Sequence, residues 1–411
     1  MSAAPDQSPI LSFEDARHLV EEHSSRLHSP VVEDVGLLQS RGRVLAEAVF
    51  ADRDFPPFPR AARDGYAVRA ADLANLPAKL EVVGEIKAGA SAEELPIVVE
   101  AGKAAAIMTG APAPAGADAV VMLEYTARTG NIVEITKGIG AGDNIVPIGS
   151  EARKGSRLLE VGVKIDQAAI AILASVGKSK VAVYSRAKVA IISTGDEIIP
   201  LEDEPGPNQI RNSNSYSIAA QVQEVGAQAA ILPIAPDEPT RLRELIEEGL
   251  QFDLLLLAGG VSMGKYDLVE HVLAQMGAEF FFQGAQIQPG RPIVFGRVRD
   301  KYFFGLPGNP VSTMVTFELF VRPMLEAMMG KSQLKLEFLY ARLKSDIKTK
   351  TGLKRFLPAT LAGEFEHPEV ELAHWHGSGD IAATARANCY VVVPPDREHI
   401  PAGEWVPVLR R

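Results

Sequence analysis

The chain has 411 residues, more than one typical domain holds, so two to four domains are expected. A hydrophobic share of 46% is that of an ordinary globular protein, and a formal net charge of −10 argues against a broad basic footprint for nucleic acid while leaving room for a local anion pocket. The single cysteine, Cys389, excludes an intrachain disulfide and any multi-cysteine metal or iron–sulfur site. There is no basic-then-apolar leader and no apolar run of membrane-spanning length, so a cytoplasmic protein without a membrane partner is expected.

The first predicted element is a helix over 12–26. Ser12 and Asp15 form an S-x-x-D cap, and Phe13, Ala16, Leu19 and Val20 make an apolar stripe. Residues 35–49 continue as helical or mixed. From Phe55 the texture changes: FPPFPR is rigid and extended, and YAVRA, KLEVVGEI, IVVE, AAAIM, DAVVML and NIVEI read as strands of a small β-rich domain over 55–149. DQAAIAILASVG follows as an alanine-rich helix between Asp166 and Gly177, rejoining the N-terminal segment and making the β domain an insertion.

From Lys188 strands and helices alternate. KVAIIST, QAAILPIA, DLLLLAGG, FFFQGAQI, RPIVFGRV and KYFFGLPG are extended. SNSYSIAAQVQEVG, PTRLRELIEEGLQ, LVEHVLAQMG and a long NPVSTMVTFELFVRPMLEAMMG are helical. That alternation predicts a three-layer α/β/α domain with largely parallel strands, whose ligands gather at the strands' C-terminal ends. Beyond Gly330 the tail is strand-like and proline-punctuated, fitting a small β-barrel or sandwich.

The strand ends carry the chemistry. After LLLLA come Gly259, Gly260, Ser262, Gly264, Lys265 and Asp267, a glycine loop before a helix that would offer backbone N–H groups to a phosphate. The loop nearly spells a Walker A motif, but Tyr266 stands where a small hydroxyl should meet magnesium. Ser193-Thr194-Gly195-Asp196-Glu197 follows another strand, and Asp237 follows a third, so their carboxylates could hold a divalent metal or simply sit solvated in turns. Gly305-Leu306-Pro307-Gly308-Asn309-Pro310-Val311-Ser312 precedes the long helix. Asn309 and Pro310 suit N-cap and first-turn positions, which leaves the two glycines and Pro307 to an anion-binding role. In the β domain, Asp64-Gly65 and Met108-Thr109-Gly110 read as turns.

Together, RDGYAVR, IMTGAPAPAGADAVV, ISTGDEI, RNSNSYSI, GGVSMGKYD, PGRP and GLPGNPVSTMVTF stand in the order found in the molybdopterin molybdenumtransferases, the MoeA family that includes the E domain of gephyrin. The resemblance spans essentially the whole chain. It implies an elongated helical domain (1–54 with 150–180), an inserted β-rich domain (55–149), a molybdopterin-binding α/β domain (181–330) and a C-terminal β-barrel (331–411). It implies a homodimer, with the site in a cleft where one subunit's α/β domain faces the other's inserted domain. The implied reaction joins molybdate to adenylylated molybdopterin with release of AMP. The implied partners are the adenylyltransferase that supplies that substrate and the molybdoenzymes that receive the product.

In that reading Ser193, Thr194, Gly195, Gly259, Gly260, Ser262, Gly264, Lys265, Pro307, Gly308 and Asn309 hold the substrate. Asp196, Glu197, Asp237 and Asp267 bind Mg²⁺, and Asp64 and Thr109 join Glu197, Asp237 and Asp267 in catalysis. Gln288, Arg291, Ser312 and Arg355 hold molybdate. One departure stands out: the family's Lys-Pro-Gly-Lys-Pro is here Gln288-Pro289-Gly290-Arg291-Pro292, which loses a charge that Arg355 would restore. Two other readings compete: a diverged, non-catalytic molybdopterin-binding carrier or scaffold, and a CinA-like nucleotide pyrophosphatase.

Overall fold

The structure is a computed structural model and describes residues 10–90, 97–260, 268–332, 335–364 and 366–411. Among the expected site residues, Ser262, Gly264, Lys265 and Asp267 lie outside the described residues. The chain divides into two compact units, residues 47–161 with 167–180, and residues 1–46, 162–166 and 181–411.

The smaller unit is built on one six-stranded sheet, in the order Ala119–Met122, Gly65–Val68, Lys103–Ile107, Ala78–Ile86, Ile132–Ile135 and Thr126–Thr129. Strand Thr126–Thr129 makes an antiparallel pair with Ile132–Ile135 that its polar composition hid from the sequence reading. The expected strand IVVE is absent. Val98 makes a lone bridge to Ala115, and Gly102, at φ 76°, turns the chain before a ladder can extend. The alanine-rich helix forms over Gln167–Ser175.

In the larger unit the first helix covers Phe13–Ser25, and the Ser12 side chain accepts from the Asp15 amide. No α-helix follows over 35–49. The chain there holds a strand, Val32–Gly36, and one 3-10 turn, Leu37–Ser40. Its later backbone groups pair across the fold instead, Leu45 N–H with Val163 O and Ala46 N–H with Ala182 O, which removes the need for helical hydrogen bonds.

The central sheet runs Gln228–Ile231, Lys188–Ser193, Leu254–Ala258, Lys301–Leu306, Val294–Val298 and Glu279–Phe282. The first four strands are parallel, and the last two pairings, Lys301–Leu306 with Val294–Val298 and Val294–Val298 with Glu279–Phe282, are antiparallel. Successive side chains of a strand point to opposite faces, and the leucine run shows the result. Leu254 and Leu256 join one core with Val189, Phe304, Phe13 and Val20, while Leu255 and Leu257 join the other with Ile192, Leu245 and Val272. Both faces are covered, so a continuous apolar strand is tolerated.

The long helix expected after Asn309 is interrupted. It runs Pro310–Thr316, opens into a π turn at Phe317–Val321, and resumes over Arg322–Met328. Pro323 has no N–H for the Leu319 carbonyl four residues back. The buried Arg17 guanidinium donates to that carbonyl instead, at 2.7 Å.

The expected extended segment 280–287 is split between two sheets. Glu279–Phe282 stays at the edge of the central sheet, and Ile287–Gln288 pairs in parallel with Lys354–Ala362. That last strand belongs to a closed five-stranded barrel, in the order Lys354–Ala362, Glu369–Leu372, Phe338–Leu343, Trp405–Arg410 and Cys389–Val393, closing back on Lys354–Ala362. Phe356, Tyr390 and Leu409 of the barrel pack into the same core as one face of the central sheet.

Candidate active site

Three loops leave the central sheet at one level because the register aligns their starting points. Ser193 pairs with Ala258, and Ala258 pairs with Leu306. The Thr194 N–H donates to Ala258 O at 3.0 Å, and the Gly259 N–H to Leu306 O at 3.1 Å. Chain order reverses here: Gln228–Ile231 lies on one side of Lys188–Ser193 and Leu254–Ala258 on the other. A crevice at such a switch point is where open α/β sheets bind ligands.

The loops enclose a cavity of about 940 Å³ lined by Ser193, Thr194, Glu197, Gly259, Gly260, Pro307, Gly308 and Asn309, among others. Its floor is tight. A Cβ on Gly259 (φ 93°) would stand 2.7 Å from Thr194 O, and one on Gly308 would lie 3.6 Å from Gly259 Cα. Two buried side-chain oxygens, Thr194 Oγ1 and Asn214 Oδ1, find no partner among the described residues, and a buried polar atom of this kind calls for a ligand or water. Asn309 occupies the N-cap position, but its side chain makes no capping bond, so the expected cap contributes only its backbone.

A fourth loop reaches the same rim. Thr194 bridges Ala235, and the Asp237 N–H donates to Asp196 Oδ1 at 3.0 Å. Burial first, then the charges of Asp196 and Glu197, push the Asp237 carboxyl above its usual range. No three acid, histidine or cysteine side chains converge as a metal cage among the described residues. The donor set still suits a hard cation such as Mg²⁺, which takes one or two carboxylates and completes its shell with water and phosphate.

A second cavity, of about 780 Å³, opens beside the barrel. Gln288 and Arg355 are direct register partners and both line it. Lys348, Lys350 and Trp375, not singled out from the sequence, line it too. Arg355 is 8% exposed, and burial pulls its guanidinium below its usual pKa, yet arginine stays charged. Arg291 and Ser312 line neither cavity; Ser312 is buried and its carbonyl accepts from Thr316.

In the smaller unit Asp64 and Thr109 meet. Asp64 Oδ1 accepts from the Thr109 N–H at 2.6 Å and from its hydroxyl at 2.9 Å. These two bonds, the backbone one foremost, hold the exposed Asp64 carboxyl below the usual range.

Sequence reasoning assigned no role to Arg211, Asn212 and Asn214, which line the first cavity. Asn212 caps the helix Ser213–Val225 through the Ser215 amide and accepts from Ser193 Oγ at 2.9 Å; Asn214 Nδ2 donates to Gly308 O at 2.7 Å. The Asn-x-x-Ser cap before an amphipathic helix was the available signal.

Comparison with known proteins agrees along the chain. Family models match residues 11–177 as MoeA N-terminal region (domain I and II), 190–327 as probable molybdopterin binding domain, and 340–410 as MoeA C-terminal region (domain IV). A molybdopterin molybdenumtransferase from Nostoc sp. is 34% identical over 98% of this chain and 94% of its own length, and one from Staphylococcus epidermidis is 31% identical over 98% and 96%. A solved molybdopterin biosynthesis MoeA protein from Pyrococcus horikosii superposes with a TM-score of 0.73 at 33% identity, covering 98% of this chain and 99% of that one. No described helix is long and apolar enough to cross a membrane. With relatives above 30% identity matched over 98% of its length, this chain belongs to the MoeA family of molybdopterin molybdenumtransferases.

Proposed function

We propose that this protein is a molybdopterin molybdenumtransferase, joining molybdate to adenylylated molybdopterin and releasing AMP. The observation that carries the reading is the register-aligned set of strand-end loops around the 940 Å³ cavity, in a chain matched by that family over nearly its whole length. Loop N–H groups at Gly260 and Gly308, with Thr194 Oγ1 and Asn309, hold the pterin phosphate, while Ser193, Gly195, Gly259 and Pro307 shape the loops around it. Ser262, Gly264 and Lys265 belong to the same wall by their place in the motif.

Molybdate, a tetrahedral dianion, is assigned to the second cavity. Gln288 and Arg355 donate to it there, and Lys348 and Lys350 add charge. Asp196, Glu197, Asp237 and Asp267 are the carboxylates that would hold Mg²⁺, whose charge would offset that of the anhydride. The enzyme acts as a homodimer in which Asp64, oriented by Thr109, completes the pocket of the other subunit. The four regions 1–54 with 150–180, 55–149, 181–330 and 331–411 are its working parts.

The test is to incubate the purified protein with adenylylated molybdopterin and Mg²⁺, with and without molybdate. Molybdate-dependent AMP release, together with cofactor that activates a molybdoenzyme apoprotein, supports the reading. Tight binding without turnover refutes it in favour of a carrier or scaffold. AMP release from unrelated dinucleotides would point to a pyrophosphatase.

A further inference from the structure

The segment Arg211–Asn214 walls the first cavity without a part in the assignment above. Among the described lining residues, Arg211 is the one cation and Glu197 the one acid; every other donor there is a neutral side chain or a backbone amide. Floor and rim also differ in access. Ser193, Thr194 and Gly259 are buried, whereas Arg211 is exposed at the mouth.

Arg211 is held in place from several directions. Ile198–Ile199 and Ile210–Arg211 form a short parallel ladder with Ile199 opposite Arg211. The next residue, Asn212, is anchored by its N–H to Ile199 O at 3.0 Å and by its capping side chain. Arg211 Nε donates to Leu201 O at 3.0 Å and to Asp203 O at 3.1 Å. These bonds fix the guanidinium plane by its inner nitrogen, and the two terminal nitrogens find no partner among the described residues. A planar fork with two free N–H edges is the shape that grips a phosphate through two parallel bonds. Because it is already oriented, less entropy is lost on binding.

We propose that Arg211 determines selectivity for the adenylylated substrate by holding the second phosphate of the anhydride, the one attached to adenosine. This rests on reading the cavity as the adenylylated-molybdopterin pocket. The floor, where the buried Thr194 Oγ1 has no partner among the described residues, takes the pterin phosphate, and the next phosphate outward lies at the rim. A ligand lacking the adenylyl group leaves Arg211 in water.

The test measures binding of adenylylated molybdopterin and of molybdopterin itself to the full-length protein, its Arg211→Gln variant and its Arg211→Lys variant. Arg211→Gln should weaken the adenylylated ligand about tenfold to a hundredfold, the usual worth of a charge-assisted contact, and change molybdopterin by less than about twofold on the same grounds. Arg211→Lys, a point charge without the fork, should fall between them. The adenylylated ligand should also lose part of its salt sensitivity in Arg211→Gln. Equal losses on both ligands would show that Arg211 only fastens the 201–203 turn, and no loss would remove it from the site; either result overturns the inference. If the unaltered protein binds neither ligand, the reading of the cavity fails and this inference falls with it.

Discussion

Gly308→Ala separates ligand contact from folding. Gly308 is not in the left-handed region, and a methyl group there would meet only Gly259 Cα, at an ordinary 3.6 Å. The folded state therefore accepts alanine without strain, and the stiffer unfolded chain should leave stability unchanged or raise it by about 0.4–1 kcal/mol. The same methyl stands on the wall of the cavity, where a phosphate must approach backbone N–H groups closely. Pushing the phosphate off one charged hydrogen bond costs about 1.5–3 kcal/mol, roughly tenfold to a hundredfold in affinity. Gly259→Ala is the contrast. At φ 93° it adds about 1–2 kcal/mol of left-handed strain to a 2.7 Å clash with Thr194 O, so it should unfold more readily and report nothing clean about binding. The assay pairs thermal or urea unfolding with titration of adenylylated molybdopterin. A Gly308→Ala protein that is as stable as its parent and binds within a factor of two would refute close backbone approach at this loop.

Asp64→Asn should keep the fold, because the carboxylate is exposed and the amide oxygen can still accept from Thr109, yet it should abolish cofactor formation. Mixing it with Gly308→Ala under conditions of subunit exchange should restore part of the activity, and no recovery would count against shared sites. Gln288→Lys should tighten molybdate, read as a lower half-saturating concentration for AMP release; an unchanged value would show that Arg355 and its lysine neighbours already suffice. His23 is buried against Phe281 and Tyr302. Its pKa is held below 6.5 mainly by burial, with Arg26 and Arg297 lowering it and Glu22 and Glu279 opposing. The unfolded state thus takes up the proton first, so stability present above about pH 6.5 should be lost as pH falls through the folded pKa. His23→Phe should flatten that slope in unfolding midpoints, and an unchanged slope would place its cause elsewhere.

What the sequence made legible was local. Leu254–Ala258 could be read as a doubly buried strand because nothing outside the segment was needed to see it. Ser12 could be read as a cap because its partner is three residues away. Pairings set by distant chain were invisible. The fragment Ile287–Gln288 left its neighbour strand to join the barrel, and no periodicity in eight residues announces a change of sheet. That change sets Gln288 beside Arg355 and brings Lys348 and Lys350 to the same cavity, while Arg291, close in sequence, lines neither cavity. Asn309 misled in the opposite sense: the N-cap position was correct, but the side chain does not serve the helix.

The break in the helix after Asn309 gives this argument its energetic test. Pro323 was visible, yet the expected helix ran straight through it, because the compensation comes from a residue about three hundred positions earlier: the Arg17 NH1 bond to Leu319 O. Arg17 is 7% exposed, and burial lowers its pKa against the pull of Glu21. Arg17→Met keeps most of the apolar stem but leaves the carbonyl unpaired, which should cost about 1–3 kcal/mol in urea unfolding. In a Pro323→Ala background the restored N–H can reach the same carbonyl, so most of that loss should vanish. A double-mutant cycle reads the difference as a coupling energy. If Arg17→Met costs the same with proline or alanine at position 323, the arginine's worth lies in its other contacts, the ion pair with Glu21 among them, and the π turn must be explained by packing at Phe317 and Phe320 instead.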